Sequence, residues 1–476
     1  MAESQFQTIP INITGPSYKD RSRPLSSQET RNFYHELVDS GKDKYVIRSF
    51  PGQNNIGSAT AGTDRGMHQM VEIAYRVIDT TLYEVLSDGT HTNRGTIAGF
   101  DRCIFADDGV NMYIVTNGLV YQYSNSTNLV KSVTDTSIAG ALSVAFINNQ
   151  FAYTFPTLTV FSTVGDGSSA SSLNAVGAES NPDNLVRDYV FDQTLYRFST
   201  RTCPSWWNSG VGTPPFSRIE GQIINVGLKA KHSVSHSKDF IYWLGSDCNV
   251  YRARGGQEQI ISTAAISGEI QGYSYSGDAF SEVITIDNKI VYVLTFPTAN
   301  KTLAIIEELG VNGWFELSEG ITDGRYNAGS MLECYGEILV GDRSNGKLNK
   351  LDFNTYNQAG EVWRRRRVIS SINGDALGQK GHRVEMSRME FIIESGVGLL
   401  TGQGSDPKIM LEASYDGGKS WTTGTWLRIG RLGETNIRAE WFNMKSFYDV
   451  MVRLTTSDPV SFSLYSAAID LRLAGR

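Results

Sequence analysis

The chain has 476 residues, of which 40% are hydrophobic and 11% aromatic, and it contains 47 glycines. This composition is typical of a soluble, turn-rich β protein rather than of a helical or disordered chain, and no segment approaches the run of about 18 apolar residues that a membrane-spanning helix needs. The formal net charge is −7 and the chain as a whole has no basic patch, which argues against a protein that grips nucleic acid.

The N-terminus and the cysteines bear on where the protein folds. The opening MAESQFQTIPINITG lacks the charged and apolar regions of a signal peptide, so we expect synthesis and folding in a cytoplasm. The four cysteines are far apart and form no CxxC pair, so we expect free, mostly buried thiols. They are Cys103, Cys203, Cys248 and Cys334.

Residues 1–44 are predicted to form an extended N-terminal arm. The stretch is polar, carries two prolines and contains no convincing pair of strands, although a short helix could form from Gln28 to Val38. We expect this arm to pack over another surface. The candidate interface residues in it are Asn32, Tyr34 and Glu36.

A repeated hairpin occupies residues 45–352. In DYVFDQTLYRFS (Asp188 to Ser199), two runs of β-forming residues flank the turn Asp192-Gln193. Another copy has the turn Asn117-Gly118, a pair strongly favoured in two-residue hairpins. The copies align on the residue after the first apolar position of the second strand, which is Tyr83, Tyr121, Thr159, Tyr196, Tyr251, Ala304 or Asn349.

The spacing of these hairpins predicts the fold. A period of about 40 residues carried by strands, with the extra length in loops, is typical of a β-propeller. Seven copies predict about seven blades, and the closure of such a ring often borrows a strand from the other end of the chain. The expected fold class is therefore all-β: a propeller with an N-terminal extended arm and a C-terminal β-sandwich-like domain.

Two long insertions, at residues 201–237 and 255–282, interrupt the regular spacing. Long loops on a regular scaffold commonly carry binding sites. The first insertion contains Trp206 and Trp207, which either cap a blade or anchor an interface, since tryptophan is enriched in both places.

After Asp352 the period is lost. Residues 353–383 are predicted to be a linker that includes a dense basic run. As a strand, this run would present two arginines to each face, either as a charged sheet edge or as a contact with an acidic subunit or a nucleic-acid backbone. Alternating strands with short turns return over residues 384–476 and predict a small antiparallel sandwich. The basic run consists of Arg364, Arg365, Arg366 and Arg367.

Two further motifs are candidates for chemistry. SYDGGKSW (Ser414 to Trp421) matches the Asp-box pattern of sialidases, but one copy predicts only a hairpin turn in which Asp416 accepts backbone N–H bonds. His232 and His236 have the i, i+4 spacing of zinc ligands on a helix, yet HSVSH alternates like a strand and lacks a third ligand. No nucleotide-binding or hydrolase motif is present, and no carboxylate pair stands out. We therefore expect no cofactor, no metal and no catalytic residue.

Several stretches, in the same order over most of the chain, carry a resemblance to one family. They are GPSYKDRSRPLSSQETRNFYHEL (Gly15 to Leu37), RSFPG (Arg48 to Gly52), AESNPDNLVRDYVFDQTLYRFSTRTCPSWWNSG (Ala178 to Gly210), PPFSRIEGQIINVGL (Pro214 to Leu228), SKDFIYWLGSDCNVYR (Ser237 to Arg252), SYDGGKSW (Ser414 to Trp421) and WLRIGRLGE (Trp426 to Glu434). The chain resembles the packaged-DNA stabilisation, or tail hub (nozzle), proteins of short-tailed bacteriophages.

The resemblance implies a non-enzymatic protein of the virion tail, assembled in the host cytoplasm. In such phages a homo-oligomeric ring, commonly of six subunits, attaches below the portal and its head-to-tail adaptor ring. It extends the DNA exit channel, retains the packaged genome and offers a platform for a needle or plug and for tailspikes or fibres. We accordingly expect double-stranded DNA to pass through the lumen without sequence-specific binding, and we expect no membrane insertion by this chain.

Two alternatives belong to other classes. A sialidase-like or glycan-binding propeller acting on surface carbohydrate would need repeated Asp boxes and an arginine cluster that converges on a carboxylate, and the sequence has one box. A receptor-binding tail component would expose aromatic residues on its distal loops, whereas in a hub the same loops would be buried against other rings.

Overall fold

The computed structural model describes residues 5–20, 26–38, 44–177, 183–442 and 445–474. The chain is 54% strand and 4% helix, as runs of Tyr, Val and Ile between Gly-, Asn- and Asp-containing turns predict. The strands that precede the repeats are β1 (Gln7–Ile11), β2 (Tyr18–Lys19), β3 (Ser27–Arg31), β4 (Phe33–Leu37), β5 (Tyr45–Ser49) and β6 (Gly52–Ser58).

Within the described residues, seven four-stranded antiparallel units follow one another and form the blades of a β-propeller. The strands of the first four blades are β7 (Asp64–Met70), β8 (Ile73–Ile78), β9 (Thr81–Val85), β10 (His91–Thr96); β11 (Ile104–Asp107), β12 (Asn111–Thr116), β13 (Leu119–Ser124), β14 (Leu129–Ser132); β15 (Ser143–Ile147), β16 (Gln150–Thr154), β17 (Leu158–Thr163), β18 (Asp166–Gly177); and β19 (Leu185–Phe191), β20 (Thr194–Ser199), β21 (Cys203–Asn208), β22 (Phe216–Ile224). The predicted propeller is confirmed.

The last three blades include the only α-helix of the described residues, α1 (Ala264–Gln271), and a 3-10 helix, Glu307–Gly313. Their strands are β23 (Ser235–His236), β24 (Ile241–Leu244), β25 (Val250–Arg254), β26 (Gln257–Ile260); β27 (Phe280–Ile286), β28 (Lys289–Phe296), β29 (Lys301–Ile306), β30 (Trp314–Leu317); and β31 (Ala328–Cys334), β32 (Glu337–Asp342), β33 (Lys347–Asp352). The first predicted insertion therefore contains the third and fourth strands of blade four rather than a long loop.

Strand β6 supplies the fourth strand of blade seven, where it pairs antiparallel with β33 from Lys347↔Ser58 to Asp352↔Gly52. The ring is thus closed by a strand from the N-terminal side of the chain, as predicted. These backbone hydrogen bonds attach the segment that precedes blade one to the outer side of blade seven, so the first and last blades are held together at the seam.

Two-residue turns with positive φ at both positions join the first and second strands of five blades, and this geometry matches the twist of a hairpin. The aligned residue Tyr196 lies in β20, a second strand, whereas the other six lie in third strands. In blade four the repeated pattern therefore falls one strand earlier than in the other blades. The hairpin of the first and second strands resembles the hairpin of the second and third strands, because the strands of both are largely buried. The five turns are Val71-Glu72, Asn148-Asn149, Asp192-Gln193, Asp287-Asn288 and Tyr335-Gly336.

The propeller core consists of separate apolar clusters between neighbouring blades. Between blades one and two, for example, the rings of Tyr75 and Tyr123 lie 5.0 Å apart. The second and third strands contribute to a cluster on each face, which explains why their sequences are nearly continuous runs of apolar residues. The four cysteines are free, and all except Cys248 are buried.

The remaining strands build a two-sheet sandwich, as predicted. They are β34 (Arg365–Val368), β35 (Ile372–Asn373), β36 (Val384–Ile393), β37 (Lys408–Ser414), β38 (Thr425–Arg428), β39 (Ala439–Phe442), β40 (Asp449–Thr456) and β41 (Ser463–Leu473), with a 3-10 helix at Gly374–Leu377. One sheet has the order β39-β36-β41-β5-β4, with β1 also on β41, and the facing sheet contains β3-β34-β40-β37-β38. Apolar residues of both sheets pack into one core.

The described residues of the predicted N-terminal arm are strands of the sandwich, which corrects the expectation of an arm without strand pairs. Strands β3 and β4 also replace the expected helix from Gln28 to Val38. The segment is rich in polar residues, but Glu29 and Arg31 are buried as an ion pair, so a polar sequence does not indicate an exposed arm here. Residues 1–4, 21–25 and 39–43 lie outside the described residues. The predicted linker likewise contains β34 and β35, both paired with β40.

Strand β3 connects the propeller to the sandwich. It pairs with β30 of blade six in parallel, at Arg31↔Glu316, and with β34 in antiparallel, from Glu29↔Val368 to Arg31↔Arg366. Blade six and one sheet of the sandwich are therefore a single sheet of 11 strands. A continuous sheet fixes the orientation of the sandwich relative to the propeller.

Candidate functional site: the axial cavity and the predicted contact residues

The inner strands of the propeller enclose an axial cavity of about 450 Å³. Its wall is formed by residues on or beside β7, β11, β15, β19, β23 and β27. Small-molecule sites in proteins occupy roughly 300 to 1,000 Å³, and a cavity of this size is too small for a DNA duplex to pass. Each blade begins with its inner strand, so the first residues of these strands meet at the same end of the cavity.

Arg102 and Glu282 face each other at this end. The guanidinium of Arg102 donates to the carbonyl oxygen of Gly329 at 2.6 Å, lies 3.4 Å from a carboxylate oxygen of Glu282, and stacks 3.7 Å from the ring centre of Phe280. Both charged side chains are mostly buried, at 19% and 27% exposure. Burial raises the pKa of Glu282 to about 7, and Arg102 opposes this rise.

Arg187 adds a second guanidinium beside the first. One of its terminal nitrogens donates to the carbonyl oxygen of Lys231 at 3.0 Å, and its guanidinium lies 5.0 Å from the ring centre of Tyr189. Burial holds the pKa of His232 well below its usual range, and the charges of Lys231, Arg102 and Arg187 lower it further. His232 is thus surrounded by three cations and stays neutral.

Farther along the cavity the wall is aromatic and hydrogen-bonded. His68 pairs with Asp107 at 2.7 Å and stacks on Phe105 with ring centres 5.5 Å apart. The hydroxyl of Tyr189 lies 2.7 Å from Nδ1 of His236. In the described part of the chain no group of three or more His, Cys, Asp or Glu side chains is placed to hold a metal ion.

The contact residues predicted near the N-terminus bind to the chain's own blade six. The amide of Asn32 is buried, where it donates to Ser318 Oγ at 2.9 Å and accepts from the Ser318 backbone N–H at 2.8 Å. Tyr34 is buried between blades six and seven. These positions contradict an interface role for Asn32 and Tyr34. Glu36, partly exposed and paired with Lys289 at 3.0 Å, stays a prediction.

The two tryptophans of the first predicted insertion have different surroundings. Trp206 is buried between blades three and four, and its ring lies 5.0 Å from the guanidinium of Arg197. The next side chain on the strand points the other way, and Trp207 is 49% exposed. Capping of a blade therefore describes Trp206, and an interface role stays a prediction for Trp207 alone.

The basic run lies inside the 11-stranded sheet, because β34 is paired on both sides. Arg365 donates to Ser49 Oγ at 2.6 Å, and Arg367 donates to Thr30 Oγ1 at 2.6 Å and to the carbonyl oxygen of Ile13 at 2.9 Å. Burial lowers the pKa of Arg365 to about 10 and of Arg367 to about 9. These two arginines are intramolecular braces, which contradicts both a sheet edge and a contact with another molecule.

The other two arginines of the run, Arg364 and Arg366, point to the opposite face. Both pair with Asp323, and Arg366 also lies 3.3 Å from Glu29. Both arginines are therefore ion-paired within the chain, and a role of this pair in an interface stays a prediction.

The Asp-box segment is a turn, as predicted. Asp416 accepts from the backbone N–H groups of Lys419 and Ser420, both at 2.9 Å, and the hydrogen bonds from Ser420 hold the pKa of that carboxyl well below its usual range. The ring of Trp421 packs 4.2 Å from the guanidinium of Arg453. The box stabilises a hairpin of the sandwich and lies on a different domain from the axial cavity.

Comparison with known proteins identifies the family. Two family models match the chain in succession: Bacteriophage P22 Gp10, beta-propeller, over residues 7–356, and Bacteriophage P22 Gp10, beta-sandwich, over residues 358–472. The chain belongs to the Bacteriophage P22 Gp10 family. It is a phage structural protein of the kind that stabilises packaged DNA, which confirms the resemblance drawn from the sequence.

Matches outside the Gp10 family models are distant. No curated protein matches the chain. Among solved structures it is similar to the Neurospora crassa Pan2 WD40 domain (TM-score 0.40, 8% identity, 64% of this chain and 96% of that one), the N-terminal domain of Nup159 (0.40, 11%, 68% and 99%) and U3-55K (0.40, 8%, 63% and 99%). Scores this low say nothing about function. In the described ranges no helix is long and apolar enough to cross a membrane.

The charged end of the cavity in this Gp10 family member was not predicted from its sequence. Arg102, Arg187, Lys231 and Glu282 are far apart in the chain, and none belongs to a motif. Arg102 and Lys231 precede the inner strands β11 and β23, and Arg187 and Glu282 are the third residues of β19 and β27. The signal that could indicate them is a charged residue near the start of the inner strand in blades two, four, five and six.

Proposed function

We propose that this Gp10 family chain forms a homo-oligomeric ring, commonly of six subunits, below the portal and its adaptor ring. The ring extends the DNA exit channel, retains packaged DNA, and carries a needle or plug and tailspikes or fibres. The chain is assembled in the host cytoplasm, acts in the virion tail and catalyses no reaction. The observation that carries this proposal is the match of both Gp10 models, in order, over almost the whole chain.

The way the two domains are joined supports a subunit that withstands mechanical force. The propeller is closed by β6, and the sandwich is held to blade six by a continuous sheet and by strands from the N-terminal segment. Such a body resists relative motion of its two domains, which suits a ring that must retain packaged DNA. Its axial cavity is too small for a duplex, so DNA passes through the centre of the ring rather than through a propeller.

Exposed apolar side chains on blades three and four support subunit or adaptor contacts there. Leu173 on β18, Trp207 on β21 and Val211 just after β21 are 86%, 49% and 76% exposed. Large apolar side chains on a surface commonly mark interfaces, and tryptophan is a frequent anchor. We call these three residues the blade three–four surface and expect it to be covered in the assembled tail.

Native mass spectrometry of the purified chain, alone and with its adaptor ring, tests the proposal. A monomer that becomes a defined ring on the adaptor is the expected result, because binding to one state shifts the assembly equilibrium. The variant W207S/V211S should lower the occupancy of the adaptor about tenfold or more. L400S, a change at an equally exposed leucine of the sandwich, is the matched control. A monomer that ignores the adaptor and instead cleaves or retains a sialylated glycan would contradict the proposal.

A further inference from the structure

We propose that the charged end of the axial cavity is a binding site for a small anion that carries a carboxylate or phosphate group. Two guanidinium groups, of Arg102 and Arg187, line the cavity there, and Lys231 adjoins them. A guanidinium binds either oxyanion through two parallel N–H bonds. This site is independent of ring formation, so its test does not depend on the assembly proposed above.

The positive charge at this end has few intramolecular partners. Arg102 forms an ion pair with Glu282, with 3.4 Å between the guanidinium nitrogen and the carboxylate oxygen. Arg187 and Lys231 form no ion pair with the described residues. The Nε–H of Arg187 is buried and has no hydrogen-bond partner among them. A buried charge without a partner is costly, and a bound anion relieves that cost.

The other carboxylates of the cavity wall bind to partners other than Arg102 and Arg187. Asp107 pairs with His68 at 2.7 Å. Asp188 is buried, accepts from Thr154 at 3.0 Å and lies 3.6 Å from Nε of Arg197. Among the carboxylates that line the cavity, only Glu282 opposes the arginines directly, and Asp101 lies near Lys231. Three cations against these two carboxylates leave the charge at this end positive in sum.

The remainder of the cavity suits the body of a small organic ligand. Phe105, Phe146, Tyr189 and His236 supply aromatic surface along the wall, beyond the arginines. A concave site with a few polar groups at one end and aromatic side chains along the rest is the usual form of a small-molecule pocket. The volume of about 450 Å³ fits such a molecule.

Isothermal titration calorimetry of the full chain with inorganic phosphate and, separately, with citrate tests the site, with sodium chloride at equal ionic strength as the blank. We expect saturable binding of at least one anion with a Kd of about 1 mM or lower. R102Q and R187Q should each weaken binding about tenfold or more. R254Q, a change at an exposed arginine on blade five, should leave binding unchanged. Phosphate binding without citrate binding would assign the phosphate class, and the reverse result the carboxylate class.

The variant E282Q keeps the proposal testable if an arginine variant does not fold. It removes the one carboxylate that opposes the arginines, so anions should bind severalfold more tightly at pH 8, where the wild-type carboxyl is charged. Absence of saturable binding by the wild type, unchanged binding by R102Q and R187Q, or unchanged binding by E282Q would each overturn the proposal.

Discussion

A fully buried ion pair lies at the seam between blades one and seven. It joins Arg76 of β8 to Asp64, the first residue of β7, the inner strand of blade one. Arg76 Nε lies 2.5 Å from Asp64, and its other nitrogens donate to the carbonyl oxygens of Lys347 at 3.0 Å and Asp342 at 2.9 Å in blade seven. Asp64 in turn accepts from Ser330 Oγ at 2.7 Å. One side chain thus joins the first and last blades.

We expect R76M to lower the free energy of unfolding by about 3 to 5 kcal/mol, because the change leaves Asp64 charged, buried and without its partner. Urea denaturation followed by tryptophan fluorescence measures this loss. R254M is the matched control, since Arg254 pairs with Asp239 in solvent and its loss should cost less than about 1 kcal/mol. Equal denaturation midpoints for both variants would contradict a stabilising role of the seam pair.

His35 gives the chain a dependence on acid that can be predicted in sign. It is buried, its Nε2 lies 2.7 Å from the carbonyl oxygen of Gly15, and burial, then the charge of Arg367, lowers its pKa to about 3. Between pH 6.5 and pH 3, His35 therefore binds a proton in the unfolded chain, where its pKa is near 6.5, but not in the folded chain. Stability from this group is present at pH 7 and is lost as the pH falls below about 6.5.

This group should lower the free energy of unfolding by about 2 kcal/mol between pH 7 and pH 5. H35Q keeps a side-chain N–H donor for Gly15 but cannot be protonated, so its stability should fall less over the same range. Parallel urea titrations at the two pH values measure the difference, with the exposed-site variant H382Q as control. Equal losses of stability by the wild type and H35Q between pH 7 and pH 5 would contradict the prediction that His35 is buried and neutral in the folded chain.

Strands from both ends of the sequence share the sheets of the sandwich. Strand β41 pairs with β1 and β5, and β34 pairs with β3, so the core between the sheets combines Phe33 and Ile47 with residues from the C-terminal part. The two family models divide the chain near residue 357, but the folding units do not divide there.

A fragment of residues 358–476 should consequently remain unfolded when it is produced alone. It lacks the five strands β1 to β5, and the apolar faces of β36, β40 and β41 would be left partly uncovered. A single chain that joins residues 1–50 to residue 358 through a flexible linker should recover cooperative unfolding. Circular dichroism during heating distinguishes the two. Cooperative unfolding of the shorter fragment would show that the N-terminal strands are dispensable.

The distribution of charge over the whole molecule predicts weak contact with DNA. The net charge is −7, and the dense arginine run is buried or ion-paired inside one sheet. Phosphate contacts need exposed cations, and each one would steepen the dependence of binding on salt. The isolated chain thus has little to hold a duplex that must slide past it.

Accordingly, we expect the chain to bind duplex DNA with a Kd weaker than about 100 µM at physiological salt. Fluorescence anisotropy of a labelled duplex at several salt concentrations measures this. A control variant with several surface glutamates changed to lysine should bind more tightly and in a salt-dependent way. Tight, salt-dependent binding by the wild type would contradict this prediction.

Local sequence was sufficient for the repeating part of the fold. Alternating apolar residues and two-residue turns such as Asn117-Gly118 act within a few residues, so the hairpins, the propeller and the later sandwich strands could be predicted. The one displaced repeat, at Tyr196, arose because adjacent strands of a blade are buried alike. Seven hairpins that each bury two faces can only stack on one another, and that requirement selects the propeller.

Long-range pairing explains what the sequence left open. The residues around Asn32 and the four consecutive arginines look polar and exposed in isolation, and they became interior when β3 and β34 joined the same sheet. The cation cluster of the axial cavity likewise exists only because the ring brings the starts of distant strands together. The energy of a buried charge depends on partners that are hundreds of residues away in the chain, as Arg31 and Glu316 are, and no local pattern encodes them.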